Sequence, residues 1–231
     1  KTWLNRVPPP LVRRVERVRL YAPNLRDIAL PVPDYYFLTT DTPNLMRWLA
    51  DEMRDQGVDL RLAQSFAGAS REPLTHRRRW HLPGIGRTHW LVGADGAKSR
   101  VAQRFDLGRV GQFLYGIEYE FAGLELREPE ALHCFVSKRL APGYIGWATQ
   151  NPTGVQFALA FRHRASRTGT PDIDALRARV GHRIGIADDL APTAIRAGLI
   201  PCGGPVAPIA RPGVILTGDA AGIVSPVTAG G

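Results

Sequence analysis

Val214-Ile-Leu-Thr-Gly-Asp-Ala-Ala-Gly-Ile-Val-Ser-Pro-Val-Thr-Ala-Gly-Gly231 is the stretch around which the chain is organised. A short apolar, β-branched run from Val214 to Leu216 breaks into Gly218-Asp219-Ala220-Ala221-Gly222. A buried strand thus ends by presenting one carboxylate among residues too small to crowd a ligand. The C-terminal edge of a parallel strand is where open α/β sheets place ligand contacts, and an ionised Asp accepts hydrogen bonds from hydroxyls such as those of a ribityl chain. Gly-Asp alone would favour a plain strand-to-loop junction. The continuation through Pro226 to Gly230-Gly231 makes the motif long and specific.

A second motif lies far upstream. Leu91-Val92 enters Gly93-Ala94-Asp95-Gly96-Ala97-Lys98, and Ser99, Arg100 and Val101 then open a helix. The pattern has the logic of a phosphate-binding turn, in which glycines let backbone N–H groups face an anion and the helix N-terminus adds a favourable dipole. Asp95 is expected to meet a hydroxyl or a backbone donor rather than a phosphate. An isolated Asp-Gly would read as a hairpin, but helix-forming residues follow instead of a return strand.

Around these motifs the chain alternates between element types. After a proline-ended lead-in, Val15 to Tyr21, Ile28 to Val32 and Tyr35 to Leu38 read as short extended segments forming a small antiparallel patch. The clearest helix is capped by Asp41 or Thr42, has Pro43 in its first turn, carries Leu45, Trp48, Leu49 and Met53 at three- and four-residue spacing, and stops at Gln56-Gly57. Val58-Asp-Leu-Arg-Leu62 alternates as a strand, which predicts one crossover of a parallel sheet. Phe66 to Trp90 reads as a meander of two or three strands, with turns at Arg71-Glu-Pro73 and Pro83-Gly84.

Gln112 to Phe121, Leu132 to Val136, Tyr144 to Thr149 and Val155 to Phe161 are successive strands without intervening helices, hence an antiparallel sheet. Thr170-Pro171-Asp172 caps a helix through about His182 with Ile173, Leu176 and Val180 on one face, and Ala194 to Ile200 is a last crossing strand. The fold class is therefore mixed α/β.

The 231 residues, 44% of them hydrophobic, can bury one good core or two smaller ones. No apolar run reaches the ~18 residues of a membrane span, and the N-terminus lacks a signal-peptide core, so a cytoplasmic location is expected. Cys134 and Cys202 are far apart and have no CxxC or His-rich partners, which suggests neither a disulfide framework nor a metal site. His76, His81 and His89 are spaced too irregularly for a metal set. The net charge of +9 comes almost entirely from arginine, scattered through every segment. The densest runs, Arg77-Arg78-Arg79 and Arg162-His-Arg164, lack the aromatic interleaving of an RNA reader. An anionic cofactor, phosphorylated substrate or lipid headgroup suits the excess better than a nucleic acid.

Together, Gly93-Ala-Asp-Gly-Ala-Lys-Ser99 and Gly218-Asp219-Ala-Ala-Gly222 to Gly231 resemble the second and third fingerprints of the FAD-dependent flavoprotein superfamily of para-hydroxybenzoate hydroxylase. Within it the chain is most similar to the geranylgeranyl reductase family. Three features carry that similarity: Gly222 where aromatic hydroxylases usually have His, Ile200-Pro-Cys-Gly-Gly-Pro205 upstream, and Pro142-Gly-Tyr-Ile-Gly-Trp147, similar to the family's Tyr/Trp substrate wall.

The resemblance implies a Rossmann-like FAD/NAD(P)-binding portion with an antiparallel-sheet substrate domain. Residues 1–110 would be part of the FAD-binding domain, 111–200 the substrate domain, and 201–231 the return to the FAD-binding domain. It implies cofactor contacts at Gly218, Asp219, Ala220, Ala221, Gly222, Pro226, Gly230 and Gly231, further ones at Gly93, Asp95 and Gly96, and an apolar cavity lined by Tyr144 and Trp147. The family's N-terminal Gly-x-Gly-x-x-Gly is not found in these residues, so the chain is expected to be an internal fragment of a longer enzyme.

The implied activity is FAD-dependent reduction of C=C bonds in an isoprenoid or other apolar, lipid-like substrate, with NAD(P)H or another external donor and with peripheral membrane contact as an option. The alternatives are an aromatic monooxygenase or halogenase, and a basic, non-catalytic binding protein on a decayed flavin fold. Glu118, Tyr115, His133 and Cys202 are open candidates for a proton source; their spacing chooses none of them.

Overall fold

The runs between Gln112 and Phe161 build the largest sheet of the protein. The computed structural model describes residues 6–31, 34–71, 80–163 and 172–225. In chain order, β1 (Val12–Val15), β2 (Arg17–Tyr21), β3 (Asp27–Pro31) and β4 (Phe37–Thr40) precede helix α1 (Thr42–Asp55). Then come β5 (Ser70–Arg71), β6 (Trp80–Leu82), β7 (Gly86–Thr88), β8 (Leu91–Gly93) and the short helix α2 (Arg100–Arg104). β9 (Phe113–Ala122), β10 (Ala131–Val136), β11 (Ile145–Asn151) and β12 (Gly154–Arg162) lead to α3 (Ile173–Ile184), followed by β13 (Ala194–Pro201), β14 (Ala210–Arg211) and β15 (Val214–Leu216). The chain forms two compact units, Lys1–Leu60 with Tyr115–Gly198, and Arg61–Leu114 with Leu199–Gly231. The first sixty residues thus group with the large sheet and not with a single stretch running to residue 110.

The first unit holds a seven-stranded sheet in the order β13-β9-β12-β11-β10-β2-β3. Three consecutive strands, β10, β11 and β12, pair antiparallel as the uninterrupted strand runs require. The N-terminal segments behave differently from the expected small patch. β1 and β4 do pair antiparallel with each other, but β2 joins the large sheet in parallel with β10, Leu20 opposite Cys134, and brings its hairpin partner β3 with it. Val15 to Tyr21 mixes apolar and charged residues with partial alternation, which marks a strand but does not say which distant edge it will take.

One face of this sheet packs on α3. Asp172 caps that helix, its Oδ1 accepting the Ala175 N–H at 2.9 Å, and Ile173, Leu176, Val180 and Ile184 bury against Tyr119, Phe121, Phe135, Phe157 and Leu159. Alternation along the strands then sends Cys134, Trp147 and Ala158 to the opposite face.

Helix α1 begins as read from the sequence. Asp41 accepts the Asn44 N–H at 3.2 Å, and Pro43 occupies the first turn. The strand expected at Val58 to Leu62 does not form. Gly57, at φ 79°, and Val58 donate their N–H groups to Arg54 and Met53, a closing motif that satisfies the last carbonyls of the helix. Val58 and Leu62 then stay exposed, so alternation alone does not hold a strand. The expected helix-to-strand crossover is absent among the described residues.

In the second unit, β5, β6 and β7 form the expected meander, with its turn at Pro83 and Gly84. The turn expected at Arg71-Glu-Pro73, with His76 and Arg77 to Arg79, reaches beyond the described residues. A separate sheet in the order β14-β15-β8 rests on Val101, Ala102, Leu107, Ala220 and Ala221. Trp80 locks the two sheets of this unit together, its Nε1 donating to the Gly213 carbonyl at 3.1 Å and its ring edge-on to Phe105. Among the described residues, no helix is long and apolar enough to cross a membrane.

Candidate functional site

The two glycine-rich motifs leave neighbouring strands at the same end. β8 and β15 run parallel with Val214 opposite Leu91, Ile215 opposite Val92 and Leu216 opposite Gly93, and the Thr217 N–H continues the ladder to the Gly93 carbonyl at 2.9 Å. Both turns therefore emerge from one C-terminal sheet edge, the edge at which open α/β sheets bind ligands. Gly93 is required by packing. A Cβ there would lie 2.8 Å from Leu216 Cδ2 and 2.9 Å from Val101 Cβ, so its absence lets α2 close onto the strand.

Asp95 faces its own chain. Its Oδ1 accepts from the Ser99 hydroxyl at 2.6 Å, while Oδ2 accepts from the Arg100 and Val101 N–H groups at 2.7 and 3.1 Å. Ser99 Oγ in turn accepts the Ala102 N–H at 2.9 Å. The expected hydroxyl and backbone donors are thus supplied locally, and the carboxylate fixes the turn and the first turn of α2. The Asp95-to-Ser99 spacing was the available signal for this bond. Gly96, at φ 80°, has open space where a side chain would be.

After β15 the chain makes a single 3-10 turn over Gly218–Ala221. Ala220 and Ala221 point into the core, while Gly218 and Asp219 are exposed. Among the described residues the Asp219 carboxylate has no hydrogen-bond or ion-pair partner, in contrast with Asp95. Gly222 closes the turn at φ 69°, where a Cβ would come 2.6 Å from the Gly204 carbonyl oxygen. The Pro201-Cys-Gly-Gly-Pro205 segment packs directly against this point, and Val206 donates its N–H to the Ala221 carbonyl at 3.0 Å. The two segments are separate signatures in the sequence, and the fold makes them one contact. Pro226, Gly230 and Gly231 lie outside the described residues.

The aromatic pair belongs to the first unit. Tyr144 and Trp147 are half-buried and meet edge-to-face with centroids 6.3 Å apart, beside Cys134, which lies opposite Trp147. Burial pushes the Tyr144 hydroxyl up to about 12 and the Cys134 thiol up to about 11, so both stay protonated. Among the open proton-source candidates, His133 sits on the α3 side, with Nδ1 3.0 Å from the Tyr21 hydroxyl and Nε2 3.1 Å from the Glu128 carbonyl. Burial lowers its pKa. Tyr115 packs edge-on to Phe161, and Cys202 belongs to the other unit.

The sequence profile of the FAD-binding domain matches residues 29–231. The chain belongs to the FAD-binding domain family. Among curated relatives, the digeranylgeranylglycerophospholipid reductase 2 of Methanopyrus kandleri is 27% identical over 96% of this chain and 57% of its own length. A geranylgeranyl bacteriochlorophyll reductase-like protein from Thermoplasma acidophilum superposes with a TM-score of 0.76 at 18% identity, covering 100% of this chain and 62% of that one. PqsL, a probable FAD-dependent monooxygenase from Pseudomonas aeruginosa, superposes at 0.60 with 19% identity over 95% of this chain and 64% of that one. The chain thus spans 57% of the length of the Methanopyrus protein. The resemblance to geranylgeranyl reductases and the para-hydroxybenzoate hydroxylase-like fold class read from the sequence are both borne out.

As an FAD-binding domain, the edge formed by β8 and β15 divides its small residues between two tasks. Gly93 and Gly222 are spent on chain-to-chain packing, whereas Gly96 and Gly218 border open space. Only Asp219 offers a carboxylate not already engaged by the described residues. This donor set fits a hydroxylated dinucleotide: one acceptor for hydroxyls, flanked by backbone that a ligand can approach closely.

Proposed function

We propose that the protein is an FAD-dependent oxidoreductase that saturates C=C bonds of an isoprenoid or other apolar, lipid-like substrate. The observation that carries the cofactor reading is the parallel register of Leu216 with Gly93, which aims both motifs at one edge and leaves the Asp219 carboxylate available there. Asp219 would accept from FAD hydroxyls. Gly218 and Gly96 would allow close approach, with Gly93, Asp95, Ala220, Ala221 and Gly222 holding the two turns in shape.

FAD, once reduced by NAD(P)H or another external donor, supplies hydride chemistry. The chain's own part is to bind, orient and keep water away. Tyr144 and Trp147 suit an apolar chain: they present a half-buried aromatic corner with protonated, uncharged neighbours. The similarity to a digeranylgeranylglycerophospholipid reductase supports reduction of a lipid-like substrate, which the protein would meet from the cytoplasm at a membrane surface. The fold shared with PqsL makes oxygen-dependent monooxygenation the competing reading.

The test is the visible absorption spectrum of the full-length protein. Bound flavin in the wild type and its loss in Asp219→Ala are expected; a protein that takes up no FAD would refute the proposal.

A further inference from the structure

In the large sheet, β2 and β10 run parallel and end together, with Tyr21 opposite Phe135. At that end lies an open cleft of about 310 Å³ whose wall is mostly apolar, with Leu20, Pro23, Ile28 and Val136 in its lining. Ile28 pairs with Leu20 across the β2–β3 hairpin and is 56% exposed; Val136, the last residue of β10, is 40% exposed. Two aliphatic side chains thus face water on a concave surface, the kind of patch that marks a contact with a ligand or a membrane.

The charges on the segments that build this cleft are one-sided. Arg26 lies in the β2–β3 turn and in the cleft lining, Lys138 and Arg139 follow Val136 by two and three residues, and Arg179 of α3 donates to the Pro23 carbonyl. All four are exposed, and none has a carboxylate partner among the described residues. Asp27, the carboxylate of the lining, is already held by Arg19 and, at 3.1 Å, by Arg183, while Arg19 also holds Glu128 at 2.7 Å. Those two arginines and two carboxylates cancel, which leaves the other four cations uncompensated. The turn that carries Lys138 and Arg139 is also fixed: the Leu140 N–H donates to Ser137 Oγ at 3.1 Å and the Ala141 N–H to the Ser137 carbonyl at 2.8 Å.

An apolar cleft flanked by unpaired cations matches a ligand that joins a phosphate head to an aliphatic chain. We propose that this end of the large sheet binds anionic phospholipid at a membrane surface, the phosphate held among Arg26, Lys138, Arg139 and Arg179 and the upper part of a chain lying against Ile28 and Val136. A nucleic acid or an acidic peptide would use the cations and leave the aliphatic side chains in water. A neutral lipid would do the reverse. The membrane contact of the proposed function, on which this rests, thereby gains a place in the fold.

The experiment is co-sedimentation of the full-length protein, in excess FAD, with vesicles of phosphatidylcholine alone and of equal parts phosphatidylcholine and phosphatidylglycerol. Binding to the mixed vesicles and not to phosphatidylcholine is expected, weakening as salt is raised. Arg26→Gln/Lys138→Gln/Arg139→Gln should lower the affinity about 10²-fold, at about fivefold per cation. Ile28→Asp should lower it about tenfold. Arg47→Gln/Arg87→Gln/Arg109→Gln removes the same charge elsewhere and should lower it by less than about threefold. Equal binding to both vesicles, an equal loss in the two triple variants, displacement of the wild type from the mixed vesicles by inorganic phosphate, or binding to polyglutamate in place of those vesicles overturns the proposal. Vesicle binding needs no turnover, so a protein that saturates no alkene leaves this result standing, and a loss of vesicle binding leaves the flavin chemistry standing.

Discussion

Asp95 and Asp219 leave neighbouring parallel strands at the same edge, yet Asp95 accepts three hydrogen bonds from Ser99, Arg100 and Val101 while Asp219 accepts none from any described residue. Two aspartates in matched motifs therefore differ, one holding its own turn and the other left without a partner among the described residues, as the proposed cofactor contact requires. Asp219→Ala should cost about 1.5–3 kcal/mol of FAD affinity, the value of a hydrogen bond to a charged group, and leave folding stability within about 0.5 kcal/mol. Flavin titration and chemical denaturation of the apoprotein measure the two effects separately.

Ser99→Ala should show the reverse balance. It removes both the cap on Ala102 and the donor to Asp95, so stability should fall by about 0.5–2 kcal/mol. Any loss of FAD affinity should follow from the loosened turn. A stability unchanged in denaturation would show that the Asp95–Ser99 bond does not hold the motif.

Gly93→Ala and Gly222→Ala probe close packing at the two turns. The first forces a methyl to 2.8 Å from Leu216 and the second to 2.6 Å from the Gly204 oxygen at a left-handed φ. Both should destabilise by about 1–3 kcal/mol, Gly222→Ala more, because backbone yields less readily than a leucine tip. Melting temperatures of the two variants against wild type test the order.

The buried His133 sets an acid limit on stability. Its folded pKa lies below 6.5, so the unfolded chain binds the proton first as pH falls. Its contribution is complete above pH 6.5 and is lost as pH drops below it, levelling off under the depressed folded value. Protonation would also turn Nδ1 from acceptor to donor against the Tyr21 hydroxyl. His133→Gln should flatten the dependence of unfolding free energy between about pH 5 and 7, whatever its cost at pH 8.

Much of this was legible in the chain because its signals are local. Capping by Asp41 and Asp172, the strand breaks at Gly93 and Leu216, and the uninterrupted strands from Phe113 to Arg162 each depend on neighbours a few residues away. What escaped depends on distant partners. The parallel pairing of β2 with β10 joins residues more than a hundred positions apart, and Val58 to Leu62 alternates correctly but forms no strand among the described residues. The candidate cofactor edge divided in the same way: Asp219 stood out, while the close approach of Gly222 to Gly204 required the fold.

The most direct test is anaerobic reoxidation of the reduced, FAD-loaded full-length protein on addition of geranylgeraniol, followed by flavin absorbance. A flavin-dependent alkene reductase predicts return of the oxidised spectrum, with one double bond saturated per flavin. A spectrum that stays reduced until oxygen is admitted, with no saturated product, would contradict it.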